Sequence, residues 1–321
     1  MRPRTTIIVP VLNKLALTRE CVTGLMETFG DRGDVEVVVV DDGSTEDTAG
    51  FVKRTEGVRL VRHEETKGFA ASCNDGAAAA AGEHLVFLNN DTVGRDGWLD
   101  ALISYADAHG EVGIVGARLL YANGTVQHAG IVFGSDLLPR HLYRGFPGDH
   151  AAVVKSRRLQ AVTAACMLVR GAVFEEIGGF DTAFTNGFDD VDLCLRAGER
   201  DRETHYCQES VLVHLEAATR GEDAELFQRN AALYLERWGD RVRRDDLDLY
   251  AEDGLLKLVP GDLYPLDLEV SPYLALVDQS AEVYGLLTER SRQAFDLLKE
   301  NAALRVRLGE QDPNALPRAT D

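Results

Sequence analysis

"VEVVVVDDGSTED", residues 35–47, sets the frame for the rest of the chain. A run of valines bounded by charge reads as a strand buried on both faces, as parallel strands under helices are. The run ends in Asp41 and Asp42, and Gly43, Ser44 and Thr45 then turn toward a helix. Helix capping accounts for the Ser, the Thr and Asp47 in the first turn. It does not account for two acids ahead of the glycine. At the tip of a buried strand such carboxylates can accept hydrogen bonds from a ribose or a base edge.

Outward from that strand the pattern repeats. "TTIIVPV" (5–11), "VRLVRH" (58–63) and "EHLVFLNND" (83–91) are strand-like. "LALTRECVTGLMETF" (15–29), "EDTAGFVKR" (46–54), "FAASCNDGAAAAAG" (69–82) and "DGWLDALISYADAHG" (96–110) read as helices. Alternating strands and helices predict an α/β fold with a mostly parallel sheet covered on both faces. After residue 110 the texture changes. "VGIVGARLLY" and "TVQHAGIVFG" are strand-like around an "ANG" turn. Residues 135–158 scatter Gly, Pro, Arg and His, and predict a long functional loop, a lid or acceptor-binding segment. "QAVTAACMLVRG" is strand-like, "AVFEEIGGF" a short helix, "DDVDLCLRAGERD" a helix, "HYCQESVLVH" a strand and "EDAELFQRNAALYLERWGD" a further helix.

The expected division is 1–240 for the α/β domain and 241–321 for a C-terminal extension. In the extension, "PGDLYPLDLEVSP" reads as linker or irregular packing. Residues 281–308 read as one long amphipathic helix, with Val283, Leu287, Ala294, Leu297, Leu304 and Leu308 near heptad spacing. Such a helix packs on its own chain or forms a homodimer. The tail "DPNALPRATD" reads as disordered.

The 321 residues are 45% hydrophobic and 27% charged, with net charge −19, so a long-range field for nucleic acid is not expected. Five cysteines, Cys21, Cys73, Cys166, Cys194 and Cys207, show no CxxC pair or zinc spacing, which predicts reduced, mostly buried thiols. The longest apolar runs fall well short of the ~20 residues a membrane helix needs. The expectation is a cytoplasmic protein, with peripheral contact at the inner membrane surface left open.

Other strand tips and helix starts carry chemistry. Lys67 and Gly68 precede a small-residue helix, where a helix N-terminus favours anions. "NND" ends the fourth strand with Asn89, Asn90 and Asp91. Turn formation suffices for the asparagines, but Mg2+ is often held by one or two carboxylates plus substrate phosphates. Asp189, Asp190 and Asp192 open a helix beside Phe184 and Phe188. They complement the helix dipole, and clustered acids in apolar surroundings can also raise one pKa, as a general base needs. His214 ends a strand, where a satisfied structural histidine is the simpler account.

Together, "TTIIVPVLNK", "VEVVVVDDGSTEDT", "GFAASCNDGAAAAAGEHLVFLNNDTV", "VTAACMLVRGAVFEEIGGFDTAFTNGFDDVDLCLRA" and "VLVHLEAATR" resemble, in this order, the family 2 glycosyltransferases of GT-A fold. The similarity spans about residues 5–238. "GTVQHAGIVFG" is typical of the rhamnosyltransferase-like branch of cell-surface polysaccharide enzymes. The resemblance implies an inverting, metal-dependent hexosyltransferase. It would move a sugar from a nucleoside-diphosphate sugar, UDP or dTDP, to a glycan, lipid-linked or protein acceptor, with Mg2+ or Mn2+. Pro10, Asp41 and Asp42 would line the base and ribose pocket, with Lys67, Gly68, Asn74 and Asn90 near the nucleotide. Asp91 and His214 would hold the metal, and Asp190 would be the base, beside Asp189. Two departures stand out. The first acid of the Glu-Asp pair is Asp189, and the metal motif is Asn-Asn-Asp with one carboxylate.

A sugar-1-phosphate nucleotidyltransferase would need a glycine-rich basic loop where "PVLNKLAL" stands. A dehydrogenase would need the dinucleotide fingerprint, which is missing. The remaining alternative is a degenerate transferase serving as a sugar-nucleotide-binding or scaffold protein.

Overall fold

The computed structural model describes residues 3–215, 224–259, 267–276 and 300. The helix expected over 281–308 and the tail after it lie outside the described residues, apart from Glu300. Two compact units result, Met1–Asp253 and Gly254–Asp321.

The first unit begins β1 (Thr5–Val11), α1 (Leu15–Phe29), β2 (Val35–Asp41), α2 (Thr48–Arg54), β3 (Val58–Arg62), α3 (Phe69–Ala79) and β4 (His84–Leu88). A short β5 (Thr92–Gly94), α4 (Trp98–Ala108), β6 (Val112–Leu120) and β7 (Val126–His128) follow. Then come β8 (Ile131–Phe133), β9 (Pro139–His141), β10 (Arg157–Leu159), β11 (Cys166–Arg170) and α5 (Gly171–Glu176). The unit closes with α6 (Asp189–Gly198), β12 (Glu203–His214), α7 (Ala224–Trp238) and α8 (Asp246–Glu252). In the second unit, β13 (Leu256–Val259) and β14 (Asp267–Val270) pair as an antiparallel hairpin. Part of the stretch expected to be linker is therefore strand.

The main sheet runs β10-β12-β6-β11-β4-β1-β2-β3. Strands β3, β2, β1 and β4 are mutually parallel, and so are β6 and β12. Strand β11 lies between these blocks, antiparallel to both β4 and β6. Two antiparallel steps restore direction, so β4 and β12 point the same way. The carboxyl ends of β1, β2, β4 and β12 thus share one sheet edge with the start of β11. That edge carries the site.

The valine run forms two cores because successive strand side chains face opposite sides. Val38 and Val40 join Ile8, Phe87, α3 and α6. Val37 and Val39 join Ile7, Val9, α1 and α4. Gly76 lets α3 approach the sheet, since a Cβ there would lie 2.4 Å from Ile8 Cγ2. All five cysteines are buried as free thiols.

Two expectations need correction. The strand expected over 125–134 breaks at Ala129–Gly130. Gly130 has φ 108°, and a Cβ there would meet Leu159. Strand β7 stays in the main sheet, while β8 pairs with β9 in a sheet of its own. Residues 135–158 are also not one unstructured loop, since they include β9 and the start of β10. Leu142, Tyr143, Phe146 and Val153 are fully buried, and Asp253 receives the Tyr143 hydroxyl, Lys155 and Arg157. Scattered glycines and basic residues hid a packed segment anchored on Asp253.

Candidate active site

The first half of the site lies at the tips of β1, β2 and β3. Half-buried Pro10 sits beside Val40 in the β1–β2 register. Asp41 is fully buried. Its Oδ1 accepts the Ser44 N–H at 2.9 Å, and Arg62 pairs with its other oxygen. Asp42 accepts the backbone N–H groups of Lys67 at 2.8 Å and Gly68 at 2.9 Å. His63 Nδ1 lies 2.7 Å from Asp42 Oδ1, and its Nε2 lies 2.9 Å from Asp75. Lys67 Nζ also reaches Asp75 at 3.0 Å, and this lysine, with His63, holds the Asp75 carboxyl below the usual range. Asp42 thereby fastens the loop that delivers Lys67 and Gly68 to the start of α3. Asn74, one turn into α3, donates to Phe180 O at 2.9 Å and accepts Phe180 N–H at 2.9 Å. It ties α3 to the segment leading into α6.

The second half gathers at the ends of β4 and β12. His214 Nε2 lies 3.0 Å from Asp91 Oδ1, although 123 residues separate them, because β4 and β12 end at the same edge. Leu215 N–H donates to Asp91 O at 2.9 Å, which fixes the two strand ends together. Asn90 donates its amide to Thr18 Oγ1 of α1 at 2.9 Å. His214 Nδ1 lies 2.6 Å from Gln127 Oε1 on β7. An amide oxygen only accepts, so Nδ1–H can donate to it while Nε2 faces the Asp91 carboxylate. The Asn89 amide, 3.5 Å from Nε2, faces the same nitrogen.

The acids opening α6 divide their work. Asp189 is buried and accepts Gly187 N–H at 3.0 Å. Asp192, fully buried, binds Arg196 at 2.7 Å, Arg237 at 2.6 Å and the Trp238 indole at 3.0 Å, pinning α7 to α6. Asp190 is half-buried, and its Oδ2 accepts Ala164 N–H at 3.2 Å. The neighbouring Ala165 O accepts Asn89 N–H at 3.0 Å. Adjacent residues of one segment therefore touch Asp190 on one side and the tip of β4 on the other. The backbone ahead of Asp189 is strained, with positive φ at Asn186, Gly187 and Phe188.

Among the described residues no group of three or more His, Cys, Asp and Glu side chains forms a metal cluster. Asp91 and His214 bring one carboxylate oxygen and one imidazole nitrogen within 3.0 Å of each other. That donor set fits a cation whose remaining ligands come from a diphosphate and water. Gln127 was not apparent beforehand. It sits in "TVQHAG", but nothing in the pattern signals a partner 87 residues away.

This sheet, with its acids, amide and histidine at one carboxyl edge, is the GT-A glycosyltransferase fold. The chain belongs to glycosyl transferase family 2, whose model matches residues 6–178. The match ends ahead of Asp189, Asp190 and His214. The O-antigen biosynthesis protein RfbC of Myxococcus xanthus is 35% identical over 275 residues, covering 81% of this chain and 21% of that protein. An N-acetylglucosaminyl-diphospho-decaprenol L-rhamnosyltransferase of Mycobacterium tuberculosis is 26% identical over 212 residues, 59% of this chain and 69% of that one. A mannosyltransferase from Pyrobaculum calidifontis, solved with GDP-Man and Mn2+, superposes with TM-score 0.57 at 21% identity. It covers 95% of this chain and 81% of its own. The chain spans only 21% and 28% of the length of two relatives it matches at one-third identity. Among the described residues no helix is long and apolar enough to cross a membrane.

Proposed function

We propose that this chain is an inverting glycosyltransferase that moves a sugar from a nucleoside-diphosphate sugar, UDP or dTDP, to an acceptor hydroxyl. The setting is cell-surface polysaccharide or glycan synthesis at the cytoplasmic side, with a glycan, lipid-linked or protein acceptor. The observation that carries this reading is the Asp91–His214 pair at 3.0 Å, tied through the 164–165 backbone to Asp190.

Pro10, Asp41 and the loop held by Asp42 line the nucleoside end. Lys67 and the start of α3 face the diphosphate with positive potential. Asp91 and His214 would hold Mg2+ or Mn2+, which when bound supplies positive charge against the departing diphosphate. Asp190 takes the proton of the acceptor hydroxyl. The acceptor oxygen attacks the anomeric carbon from the face opposite the diphosphate. The bond to the diphosphate breaks and its electron pair leaves with the nucleoside diphosphate. Asp189 holds the loop before the base, and its shorter reach than a glutamate suits that bracing role.

The test is a binding panel of UDP, dTDP, GDP and CDP, with and without Mn2+, on wild type and Asp91→Ala. Selective binding of one nucleotide, strengthened by Mn2+ only in wild type, is the expected result. Failure of all four to bind would remove the donor-site reading.

A further inference from the structure

The dipeptide Gln127–His128 touches His214 on one side and the segment that holds Asp190 on the other. It lies in β7, where the β6–β7 register shifts. Leu119 pairs with His128 and Leu120 with Val126, leaving Gln127 as the extra residue. Such irregularities re-aim side chains, and they recur beside active sites.

Gln127 is 5% exposed, and its Oε1 lies 2.6 Å from His214 Nδ1. Its Nε2 is buried with no hydrogen-bond partner among the described residues. A buried unsatisfied amide group is unfavourable, and an apolar side chain of the same shape avoids that cost. Stability therefore does not explain a glutamine here. Orientation of the imidazole does, since the partner of one ring nitrogen decides which face the other presents.

His128 is fully buried, and its Nε2 accepts the Thr163 N–H at 3.3 Å. Its proton is therefore on Nδ1, which donates to His141 Nδ1 at 2.8 Å. Burial, with His141 and His214 nearby, pushes its pKa well down and keeps the ring neutral. Thr163 directly precedes Ala164, whose N–H holds Asp190.

We infer that Gln127 and His128 are positioning residues. Gln127 sets the His214 ring so that Nε2 faces the cation side. His128, backed by His141, sets the 163–164 backbone that holds Asp190. The inference rests on the transferase reading above.

The test uses the full chain and Mn2+ with whichever of UDP, dTDP, GDP or CDP the panel selects. It follows Mn2+ affinity by electron paramagnetic resonance and amide exchange over 162–165. Gln127→Leu is expected to weaken Mn2+ by about ten- to a hundredfold. Metal-free nucleotide affinity and exchange over 162–165 stay at wild-type values, which shows the fold intact. Gln127→Glu keeps an accepting oxygen and restores Mn2+ affinity. His128→Phe keeps a flat ring and removes the acceptor, so exchange over 162–165 rises at least about tenfold while Mn2+ affinity holds, as loss of one protecting bond predicts. Wild-type Mn2+ affinity in Gln127→Leu, or equal loss of affinity in both Gln127→Leu and His128→Phe, would overturn the inference. Unchanged exchange in His128→Phe would remove its second half. A wild type whose nucleotide binding ignores Mn2+ would instead overturn the cation-site reading, and this inference with it.

Discussion

Asp41 ends β2 with Asp42 just beyond it, while Asp189 and Asp190 sit at the mouth of α6. The two Asp-Asp pairs have the same composition and different surroundings. Both acids of the first pair are buried and tied to this chain's own donors: Ser44 and Arg62 on Asp41; His63, Lys67 and Gly68 on Asp42. In the second pair only Asp189 is buried, and Asp190 stays half-buried beside the 163–165 segment. A carboxylate that organises a binding loop is fixed by several donors. In the proposed mechanism the carboxylate that takes up a proton has to keep access to solvent and substrate.

The largest expected effect separates the members of the second pair. Asp190→Asn should lower turnover by about 10²–10⁴-fold, the usual worth of a general base, with nucleotide affinity unchanged. Equal loss in Asp189→Asn without loss of stability would show that the roles are shared. Asp42→Ala removes the common partner of His63 and two backbone N–H groups. It should lower unfolding free energy by about 3–5 kcal/mol, measured by urea denaturation, and loosen the Lys67–Gly68 loop. A loss as small as a surface aspartate's would break the contrast drawn here. Asn74→Ala leaves both backbone groups of Phe180 unpaired and should cost about 1–3 kcal/mol.

The smallest effect sharpens the comparison through a third acid. Asp245 is buried, but its donors are neutral: the Phe133 N–H at 2.9 Å and the Gln160 amide at 2.5 Å. Burial pushes its pKa from 3.8 up to about 6. The folded state then holds the proton more tightly than the unfolded state. Its contribution is fully present below 3.8 and is lost as pH rises through about 6. Asp245→Asn should flatten the stability profile across that window in thermal melts. An unchanged profile would show that neutral donors suffice to keep a buried aspartate ionised.

The β-branched runs made the sheet and both of its covered faces legible, because periodicity alone decides which side chains are inside. Asp41 and Asp91 stood out as carboxylates at the tips of buried strands, and Asp190 as one of three acids clustered beside phenylalanines. What stayed hidden were pairings across the chain. Asn74 meets Phe180 106 residues away, and Gln127 meets His214 at a distance of 87. Asp192 looked like part of a helix-start cluster, and only the packing of α7 on α6 showed its partners, Arg237 and Trp238. Residues 135–158 misled for a related reason: their buried aromatics follow no helix or strand period.

Asp253 decides where this unit can be cut. A gene fragment ending at codon 240 would encode every residue assigned to chemistry and still lack Asp253. The Tyr143 hydroxyl, Lys155 and Arg157 would lose their shared anion. Tyr250, whose ring lies tilted 6.1 Å from that of Tyr143, would go with it. A fragment ending at codon 253 keeps both. For grafting this unit into other proteins, or excising it from longer ones, the boundary lies at Asp253, well beyond the last residue of the candidate site.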